Sequence, residues 1–459
     1  MIVVSHRGPY RFEPRGDGSF STHRSAGGVG SALRSGLDHE REDATWIAAA
    51  FSDDDREAAR SGALEDCGVD LRLVSIESDV HALHYDVISN GVLWFLFHGL
   101  FDRTRRPVFD RRFREAWEGY VAVNMAFAEA TAQAAAPNDI VLVHDYQLAL
   151  VGAQLRELRP DLRIVHFTHT PFCSPDDIRV LPDDAAVALC AAMAANPAGF
   201  HSARWARAYQ QSARSVLGRS ATIAPAFAAS LGPDVAALEE VAASDATHDA
   251  ARALDNVVGD RLVIARCDRV ELSKNIVRGF LAYDRLLEAR PGLRGRVVFV
   301  AMLYPSRQGL ASYLAYASEI EQVVARVNDR WATRDWTPIA LDQRDDFPRS
   351  VAAMQRYDVL MVNPIKDGLN LVAKEGPAVN RRDGVLCLSP ETGAYDDLRK
   401  AALPIHPYDI EAAAGTLDHA LAIPLDERAT IATRLRALAT ARDPAMWIAD
   451  LVAHARRSN

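Results

Sequence analysis

Lysine is almost absent from this chain of 459 residues, which has four lysines beside 48 arginines. The four are Lys274, Lys366, Lys374 and Lys400. Together with the heavy use of alanine, this bias indicates a GC-rich genome that replaces lysine with arginine wherever it can. A lysine that survives in such a chain is therefore a candidate for a chemical role.

Long apolar runs and a cysteine framework are also lacking. No window approaches the roughly 20 uninterrupted apolar residues of a membrane span. The apolar run at Met1 meets His6 and Arg7 too soon for a secretory signal. The five cysteines are scattered, and neither their odd number nor their spacing suits disulfides or zinc: Cys67, Cys173, Cys190, Cys267 and Cys387. We therefore expect a cytoplasmic protein with no membrane partner.

Basic charge is in deficit, because the net charge at pH 7 is -9. Nucleic-acid-binding proteins normally carry a basic stripe, so no nucleic-acid partner is expected, and any anionic ligand must be held by a local basic pocket. The hydrophobic fraction of 49% is that of a folded globular protein. The length suggests two or three domains, because single cores stop growing near roughly 250–300 residues.

Short apolar runs alternate with longer amphipathic segments, and this alternation predicts parallel sheets with helices on both faces. The predicted strands are 1–5, 46–50, 71–76, 140–143, 163–168, 262–266, 296–302, 338–341, 359–362 and 385–389. The predicted helices include 113–136, 148–158, 276–289, 312–328, 351–356 and 371–379, with a helical pattern from 410 onward. The alternation blurs between about 231 and 260. We therefore predict an α/β protein of two doubly wound, Rossmann-like domains that face each other across a cleft.

Polar residues follow many of these strands, and ligands of open parallel sheets bind at the carboxyl ends of strands. The strand-end groups are Ser5-His6-Arg7, His144-Asp145, His169, Asp268-Arg269, Arg307 and Asp367-Gly368-Leu369-Asn370. Each group alone has an ordinary explanation, such as a turn, a helix cap or a satisfied histidine. Their coincidence at one kind of position, in both halves of the chain, favours an active site between the domains.

The loop after the strand 262–266 has the spacing of a diphosphate site. Arg269 follows the strand and Lys274 precedes the next helix, so that both cations can converge on one anion. A helix that begins near Leu371 would direct its first N–H groups at the same anion. Glu375, one turn later, could accept hydrogen bonds from a ribose diol. The turn at Ser25–Gly28 is a second candidate for anion binding.

Seven segments carry a family resemblance: MIVVSHRGPY, SAGGVGSAL, VLWFLFH, LVHDYQL, RIVHFTHTPF, DRVELSKN and NPIKDGLNLVAKEG. In this order they resemble the retaining glycosyltransferases of the trehalose-6-phosphate synthase family, from residue 1 to about 400. The resemblance implies the GT-B fold, with an acceptor-binding domain at 1–240 and a nucleotide-sugar-binding domain at 241–435. It implies that a C-terminal helix within 436–459 crosses back to the first domain.

The resemblance also implies the reaction. Glucose would pass with retention from a nucleoside-diphosphate glucose to glucose 6-phosphate, giving trehalose 6-phosphate, without a metal or another cofactor. Because no residue is a dedicated carboxylate nucleophile, we expect front-face transfer, in which the leaving phosphate oxygen takes the acceptor's proton. A homo-oligomer is compatible with the sequence.

Site residues follow from the same resemblance, motif by motif. The donor residues would be Gly28, Arg269, Lys274, Asp367, Gly368, Leu369, Asn370, Leu371, Val372 and Glu375. The acceptor residues would be Arg7, Trp46, Tyr85, Trp94, Asp145 and Arg307. His169 would contact the transferred sugar near its reacting carbon. The catalytic set would be His169, Asp145, Arg269, Lys274 and Asp367.

The sequence departs from the family at Asp345, where uridine-using members carry an aromatic residue. A carboxylate is a poor platform for uracil, but it can accept two hydrogen bonds from the N1–H and N2–H₂ edge of guanine. GDP-glucose is therefore the favoured donor and UDP-glucose the alternative, while a solvated acidic turn is the structural explanation of Asp345. Synthesis of glucosylglycerol phosphate, a validoxylamine-type pseudo-glycosyltransferase and a catalytically silent regulatory paralogue also stay open.

Overall fold

The computed structural model describes residues 1–16, 19–24, 28–40, 44–62, 64 and 69–457. The chain forms two compact units, one of Met1–Leu231 with Pro444–Asn459 and the other of Gly232–Asp443. Each unit contains a parallel β-sheet and many helices, so the predicted α/β class is confirmed. Over the described ranges, no helix is long and apolar enough to span a bilayer.

The first unit is built on a seven-stranded parallel sheet. The strands of this unit, including two outside the sheet, are β1 Ile2–Val4, β2 Tyr10–Pro14, β3 Phe20–Arg24, β4 Thr45–Ala49, β5 Asp70–Val74, β6 Ile140–His144, β7 Arg163–Thr168, β8 Ala198–Phe200 and β9 Ala226–Ala228. The sheet order is β5-β4-β1-β6-β7-β8-β9, while β2 and β3 pair separately as an antiparallel hairpin. The chain winds from β1 out to β5 and returns to β6 on the other side of β1. The carboxyl ends of β1 and β6 therefore form the switch point at which such sheets bind ligands.

Helices cover this sheet and bury its apolar side chains. They are α1 Gly28–Glu40, α2 Asp53–Ser61, α3 Ser78–Ala82, a π-helical segment Leu83–Leu93, α4 Trp94–His98, α5 Arg111–Ala134, α6 Val151–Leu158, α7 Pro175–Ile178, α8 Asp183–Ala194, α9 Ala203–Leu217 and the C-terminal helix α19 Pro444–Arg456. Ser52 starts α2, because its hydroxyl accepts a hydrogen bond from the N–H of Asp55 at 3.0 Å. Gly62 ends it at φ 81°. The core on the side of α5 and α6 includes Phe127, Val143 and Leu155.

The second unit has a six-stranded parallel sheet. Its strands are β10 Leu262–Arg269, β11 Val297–Tyr304, β12 Ile339–Asp342, β13 Val359–Val362, β14 Val385–Leu388 and β15 Leu403–Pro404. Their order is β12-β11-β10-β13-β14-β15, so β10 and β13 form the switch point. The helices are α10 Val235–Ala242, α11 Asp245–Val258, α12 Ile276–Ala289, α13 Ala311–Trp331, α14 Phe347–Arg356, α15 Val372–Val379, α16 Ala394–Leu398, α17 Ile410–Ala422 and α18 Leu425–Ala439.

The boundaries of the units differ from the predicted 240 and 435. Helix α10 packs on α14 and α15, so it belongs to the second unit although the sequence pattern around it is weak. Helix α18 also packs on α15 and α16, whereas α19 packs on α1, β6 and β7. The predicted terminal segment 436–459 therefore divides. The end of α18 stays with the second unit, and the helix that returns to the first begins at Pro444.

Candidate active site

The switch point of the second sheet gathers several residues of the predicted donor site. Lys274 follows β10 and Asp367 follows β13, and the Lys274 ammonium donates a hydrogen bond to Oδ2 of Asp367 at 2.7 Å. Oδ1 of Asp268 lies 4.0 Å from the same ammonium. Burial opposes the charge on Lys274, but the carboxylates of Asp367, Asp268 and Glu271 outweigh this effect and raise its pKa. Lys274 is therefore held in its cationic form.

Arg266 holds this loop through hydrogen bonds, and its side chain is completely buried. Its Nε donates to Oδ2 of Asp268 at 2.9 Å, and its Nη2 donates to the carbonyl of Lys274 and to Oδ1 of Asn363 at 2.9 and 2.8 Å. A Cβ on Gly279 would lie 2.5 Å from Nη1 of Arg266, so glycine leaves the space that the guanidinium fills. Burial raises the pKa of Asp268, and Arg266 and Lys274 partly offset that rise.

The loop after β13 is organised by the carboxylate of Asp367. Oδ1 accepts a hydrogen bond from the N–H of Leu369 at 3.3 Å, and Oδ2 accepts one from Nδ2 of Asn370 at 3.2 Å. Asn370 has φ 73°, a conformation that asparagine tolerates better than most residues, and its Oδ1 accepts from the N–H of Ala373 at 3.2 Å. Gly368 lies so close to Gly393 that a Cβ on the latter would sit 2.0 Å from its carbonyl oxygen.

Helix α15 begins directly after this loop, with Leu371 at its N-cap and Val372 as its first residue. The N–H groups of Lys374 and Glu375 already donate to the carbonyl of Leu371, so a phosphate at this end of α15 would be bound by the N–H groups of Leu371 and Val372. Glu375 lies in the first turn, and burial raises its pKa to about 7. Within the described part of the chain, nothing forms a hydrogen bond or ion pair with this carboxylate. Its oxygens can therefore accept hydrogen bonds from a ligand.

Arg269 and Arg307 meet at Glu271, a residue that the sequence patterns did not single out. Nε of Arg269 and Nη1 of Arg307 each lie 3.2 Å from Oε1 of Glu271. Nη1 of Arg307 also donates to the hydroxyl of Tyr313 at 2.5 Å. Arg307 was predicted to bind the acceptor, but it lies in the second unit and shares its carboxylate with Arg269. The acidic residue between Arg269 and Lys274 in DRVELSKN was the available signal.

Asp345, predicted to select the donor base, lies on the exposed loop after β12. A cavity of about 430 Å³ is close by, with an apolar wall from α11, β11 and β12 and a polar side that includes Asp342, Arg344 and Arg349. Asp342 is paired with Arg344 and Arg349 at 2.8 and 2.5 Å. Asp345 is outside the set of residues that lines this cavity. The cavity therefore gives the base prediction no direct geometric support.

At the switch point of the first sheet, aromatic rings surround the residues that follow β1. Tyr85 stacks on His6, with ring centroids 4.9 Å apart and planes 9° apart, and Nε2 of His81 lies 3.2 Å from Nε2 of His6. The Arg7 guanidinium lies 4.2 Å from the ring centroid of Phe51 and is exposed. Burial and the neighbouring histidines lower the pKa of His6 well below its ordinary value. Arg7 is thus an exposed cation beside these aromatic rings.

Two predicted acceptor residues, Trp46 and Trp94, lie in the core of the first unit. Trp46 is 1% exposed, and its indole N–H donates to Oγ of Ser5 at 2.8 Å. Trp94 is 2% exposed and packs on His98, with ring centroids 4.3 Å apart. Since neither ring reaches the surface, Trp46 and Trp94 support neighbouring residues in this structure, and direct ligand contact by either stays a prediction.

His169 is the middle member of a chain of three imidazoles at the ends of β6, β7 and β8. Its Nε2 lies 3.2 Å from Nδ1 of His144, and its Nδ1 lies 3.0 Å from Nε2 of His201. Trp447 of α19 packs against the chain, with its ring centroid 5.7 Å from that of His169. Burial, reinforced by His201 and then His166, lowers the pKa of His169 well below its ordinary value. His169 is therefore neutral at neutral pH. The sequence had singled out His144 as a strand-end residue, but it had not singled out His201.

Asp145 and Gly28 complete the predicted site residues. Oδ1 of Asp145 accepts a hydrogen bond from the N–H of His169 at 3.2 Å, and Asp145 has φ 70° and ψ 171°. Such a backbone is costly for a residue with a Cβ and is found mainly where function requires it. Gly28 is the first residue of α1, while residues 25–27 of the predicted turn lie outside the described residues. In the ranges that are described, no three His, Cys, Asp or Glu side chains are grouped to hold a metal ion.

Comparison with known proteins gives matches over almost the whole chain. The profile of glycosyltransferase family 20 matches residues 1–457. A trehalose-6-phosphate synthase of Mycobacterium avium is 32% identical over 471 residues, which cover 97% of this chain and 93% of the relative. An α,α-trehalose-phosphate synthase (UDP-forming) of Dictyostelium discoideum is 30% identical, over 93% of this chain and 58% of the relative. A crystal structure of a UDP-forming α,α-trehalose-phosphate synthase from Burkholderia vietnamiensis has 28% identity and a TM-score of 0.84 and covers 99% of both chains.

Proposed function

The chain belongs to glycosyltransferase family 20 and has the GT-B fold that its sequence predicted, and from this premise we propose that it makes trehalose 6-phosphate. Glucose moves with retention from a nucleoside-diphosphate glucose to glucose 6-phosphate, and the nucleoside diphosphate leaves. The observation that carries the proposal is the group formed by Lys274, Asp367 and the N-terminus of α15 at one switch point. The activity named for relatives at 30% identity or more supports the choice of reaction.

The donor diphosphate is proposed to bind between Arg269, Lys274 and the first turn of α15. Lys274 pairs with Asp367, so a bound diphosphate competes with this carboxylate for the ammonium. Asp367 is then released to accept hydrogen bonds from glucose hydroxyls, while Glu375 accepts the ribose diol. The two cations and the helix N–H groups stabilise the charge that develops on the departing diphosphate.

Retention is proposed to occur by front-face transfer. The bond between C1 of glucose and the diphosphate oxygen breaks, and the acceptor hydroxyl forms its bond to C1 on the same face. The leaving phosphate oxygen takes the hydroxyl proton, so no carboxylate nucleophile is needed. This assignment is supported by the contacts that Asp367 makes independently of Lys274, because its carboxylate accepts hydrogen bonds from the N–H of Leu369 and from Nδ2 of Asn370.

Glucose 6-phosphate is proposed to bind at the switch point of the first sheet. Arg7 and Tyr85 there supply a cation and a hydroxyl for the phosphate, and Asp145 can accept hydrogen bonds from the sugar. Both ring nitrogens of His169 are already hydrogen-bonded to other imidazoles. Contact between His169 and the transferred sugar therefore requires one of these two contacts to open.

The preferred donor is proposed to be GDP-glucose, because a carboxylate at Asp345 suits guanine better than uracil. Two of the relatives above are named UDP-forming, so UDP-glucose is the alternative that a test must separate.

A donor panel tests the whole proposal. GDP-, UDP- and ADP-glucose are each supplied with glucose 6-phosphate, nucleoside diphosphate release is followed, and the product is identified by NMR. We expect α,α-linked trehalose 6-phosphate and the highest kcat/KM with GDP-glucose. An equal or higher kcat/KM with UDP-glucose contradicts the base assignment, and turnover with glycerol 3-phosphate but not with glucose 6-phosphate contradicts the acceptor. Ligand binding without release from any donor would establish a silent paralogue.

A further inference from the structure

We propose that Glu271 is a positioning residue that holds Arg269 and Arg307 in place for two different anionic ligands. This inference rests on the proposed function, in which Arg269 binds the donor diphosphate, and on the role in binding the acceptor phosphate that the family resemblance implies for Arg307. One buried carboxylate would then set the geometry of a donor contact and an acceptor contact together.

The contacts of Glu271 link two loops of the second sheet. Its carboxylate is 4% exposed, and Oε1 receives Arg269, Arg307 and the hydroxyl of Ser306, the last at 3.4 Å. Its backbone is fixed as well, because its N–H donates to the carbonyl of Arg269 at 2.8 Å and its carbonyl accepts from the N–H of Lys274 at 3.0 Å. The loop after β10 is therefore joined, through a single side chain, to the loop after β11.

The two arginines depend on Glu271 to different degrees. The Arg269 side chain is 62% exposed, and within the described residues it forms an ion pair with Glu271 alone. Arg307 is 13% exposed, and it also donates to the hydroxyl of Tyr313. A long exposed arginine loses rotamer freedom when it is held for a ligand, and a preformed contact removes part of that cost from binding. Loss of Glu271 should therefore affect the donor more than the acceptor.

A simpler role for Glu271 makes the opposite prediction. If the carboxylate only neutralised the two arginines, its negative charge would weaken anion binding at both sites, and its removal would strengthen binding. If it positions them, its removal at constant shape must weaken binding. The direction of the change in Glu271→Gln therefore separates the two roles.

The test measures nucleoside diphosphate binding by calorimetry, KM for glucose 6-phosphate, kcat and the melting temperature. For Glu271→Gln we expect the Kd for nucleoside diphosphate to rise about tenfold and the KM for glucose 6-phosphate about threefold, with a smaller change in kcat. Arg269→Lys should raise the Kd for nucleoside diphosphate by a smaller factor in the Glu271→Gln background than in the wild-type protein. Glu240→Gln, at an exposed glutamate of α10, is the matched control and should change none of these values.

A second variant keeps the proposal open to refutation if Glu271→Gln does not fold. Glu271→Asp retains the charge and shortens the side chain by one methylene. The positioning role therefore predicts weaker binding of both ligands, whereas the neutralising role predicts no change in binding. Unchanged or tighter binding of both ligands overturns the proposal, and so does a lower melting temperature with unchanged Kd and KM. If the wild-type protein turns over no donor but Glu271→Gln still weakens binding of nucleoside diphosphate and of inorganic phosphate, the positioning role stands and the proposed reaction fails.

Discussion

Replacing Glu375 with glutamine is expected to stabilise the ligand-free protein at alkaline pH and to weaken its binding of the donor. The carboxylate lies in the first turn of α15, and burial raises its pKa to about 7 from an ordinary value of 4.5. Glutamine has almost the same shape but cannot ionise. The substitution therefore removes the cost of burying a charge and leaves the packing nearly unchanged.

The sign follows from proton linkage. Below pH 4.5 both the folded and the unfolded chain keep the proton, and Glu375 costs nothing. As pH rises from 4.5 to about 7, the unfolded chain releases the proton first, so stability falls and stays lower above that range. The raised pKa corresponds to about 3 kcal/mol, at about 1.4 kcal/mol per pH unit. We expect Glu375→Gln to raise the free energy of unfolding by up to about 3 kcal/mol near pH 8 and by less than about 1 kcal/mol near pH 5.

Donor binding should change in the opposite direction. A ribose diol can donate two hydrogen bonds to the ionised carboxylate, and hydrogen bonds to charged groups contribute about 1.5–3 kcal/mol. The amide offers one neutral acceptor, so we expect the Kd for nucleoside diphosphate to rise about tenfold near pH 8. In the wild-type protein the affinity should increase as pH rises through about 7, because Glu375 ionises there. This increase should be absent from the variant.

Urea unfolding at the two pH values measures the first effect, and calorimetric titration with nucleoside diphosphate across neutral pH measures the second. Glu240→Gln is the control, since its side chain is exposed and it lies on α10. A Glu375→Gln variant that is less stable than the wild type near pH 8 would refute the burial argument. A variant whose Kd keeps the wild-type pH dependence would refute the assignment of Glu375 to the ribose.

Three further substitutions test other parts of the proposal. Lys274→Arg should lower kcat/KM by about a hundredfold, because a guanidinium cannot replace a compact ammonium between two carboxylates, whereas Lys400→Arg, at an exposed position, should leave it unchanged. His201→Ala should lower kcat by roughly tenfold or more, and it should shift the ¹⁵N resonances of the His169 ring, because the partner that fixes its tautomer is lost. Asp345→Asn should lower kcat/KM for GDP-glucose about tenfold and leave that for UDP-glucose unaltered, and equal losses for both donors would contradict the guanine assignment.

Several regular elements were predicted to the residue. Strands β7 and β13 and helix α12 begin and end at the predicted residues, because their apolar runs are long and their ends are marked by polar residues. The patterns did not predict β8 and β9, which have three residues each, or the polar hairpin of β2 and β3. Strand β8 is stabilised by hydrogen bonds to β7 and β9, which are distant in sequence, so local periodicity does not reveal it.

The site also has parts that the sequence predicted and parts that it did not. The positions of Lys274, Asp367, Asp145 and His169 were predictable, because each follows a strand and the topology brings strand ends to one edge of its sheet, while their roles stay predictions. The link between Arg269 and Arg307 was not, because Glu271 joins loops that are separated by a strand and a helix. The burial of Trp46 and Trp94 could not be predicted either, since an aromatic residue in a motif can contact a ligand or pack in the core.

The scarcity of lysine identifies buried ion pairs more directly than it identifies ligand contacts. Lys374 is buried and pairs with Asp397 at 2.7 Å, the same distance that separates Lys274 from Asp367. A buried guanidinium has five donors to satisfy and an ammonium three, which favours lysine in a confined site. Burial lowers the pKa of Lys374, whereas the carboxylates around Lys274 outweigh burial and raise its pKa. Of these two lysines, Lys274 has the raised pKa and directs its ammonium at the carboxylates of Asp367 and Asp268 at the switch point. These features, rather than its rarity, make it the candidate for the diphosphate.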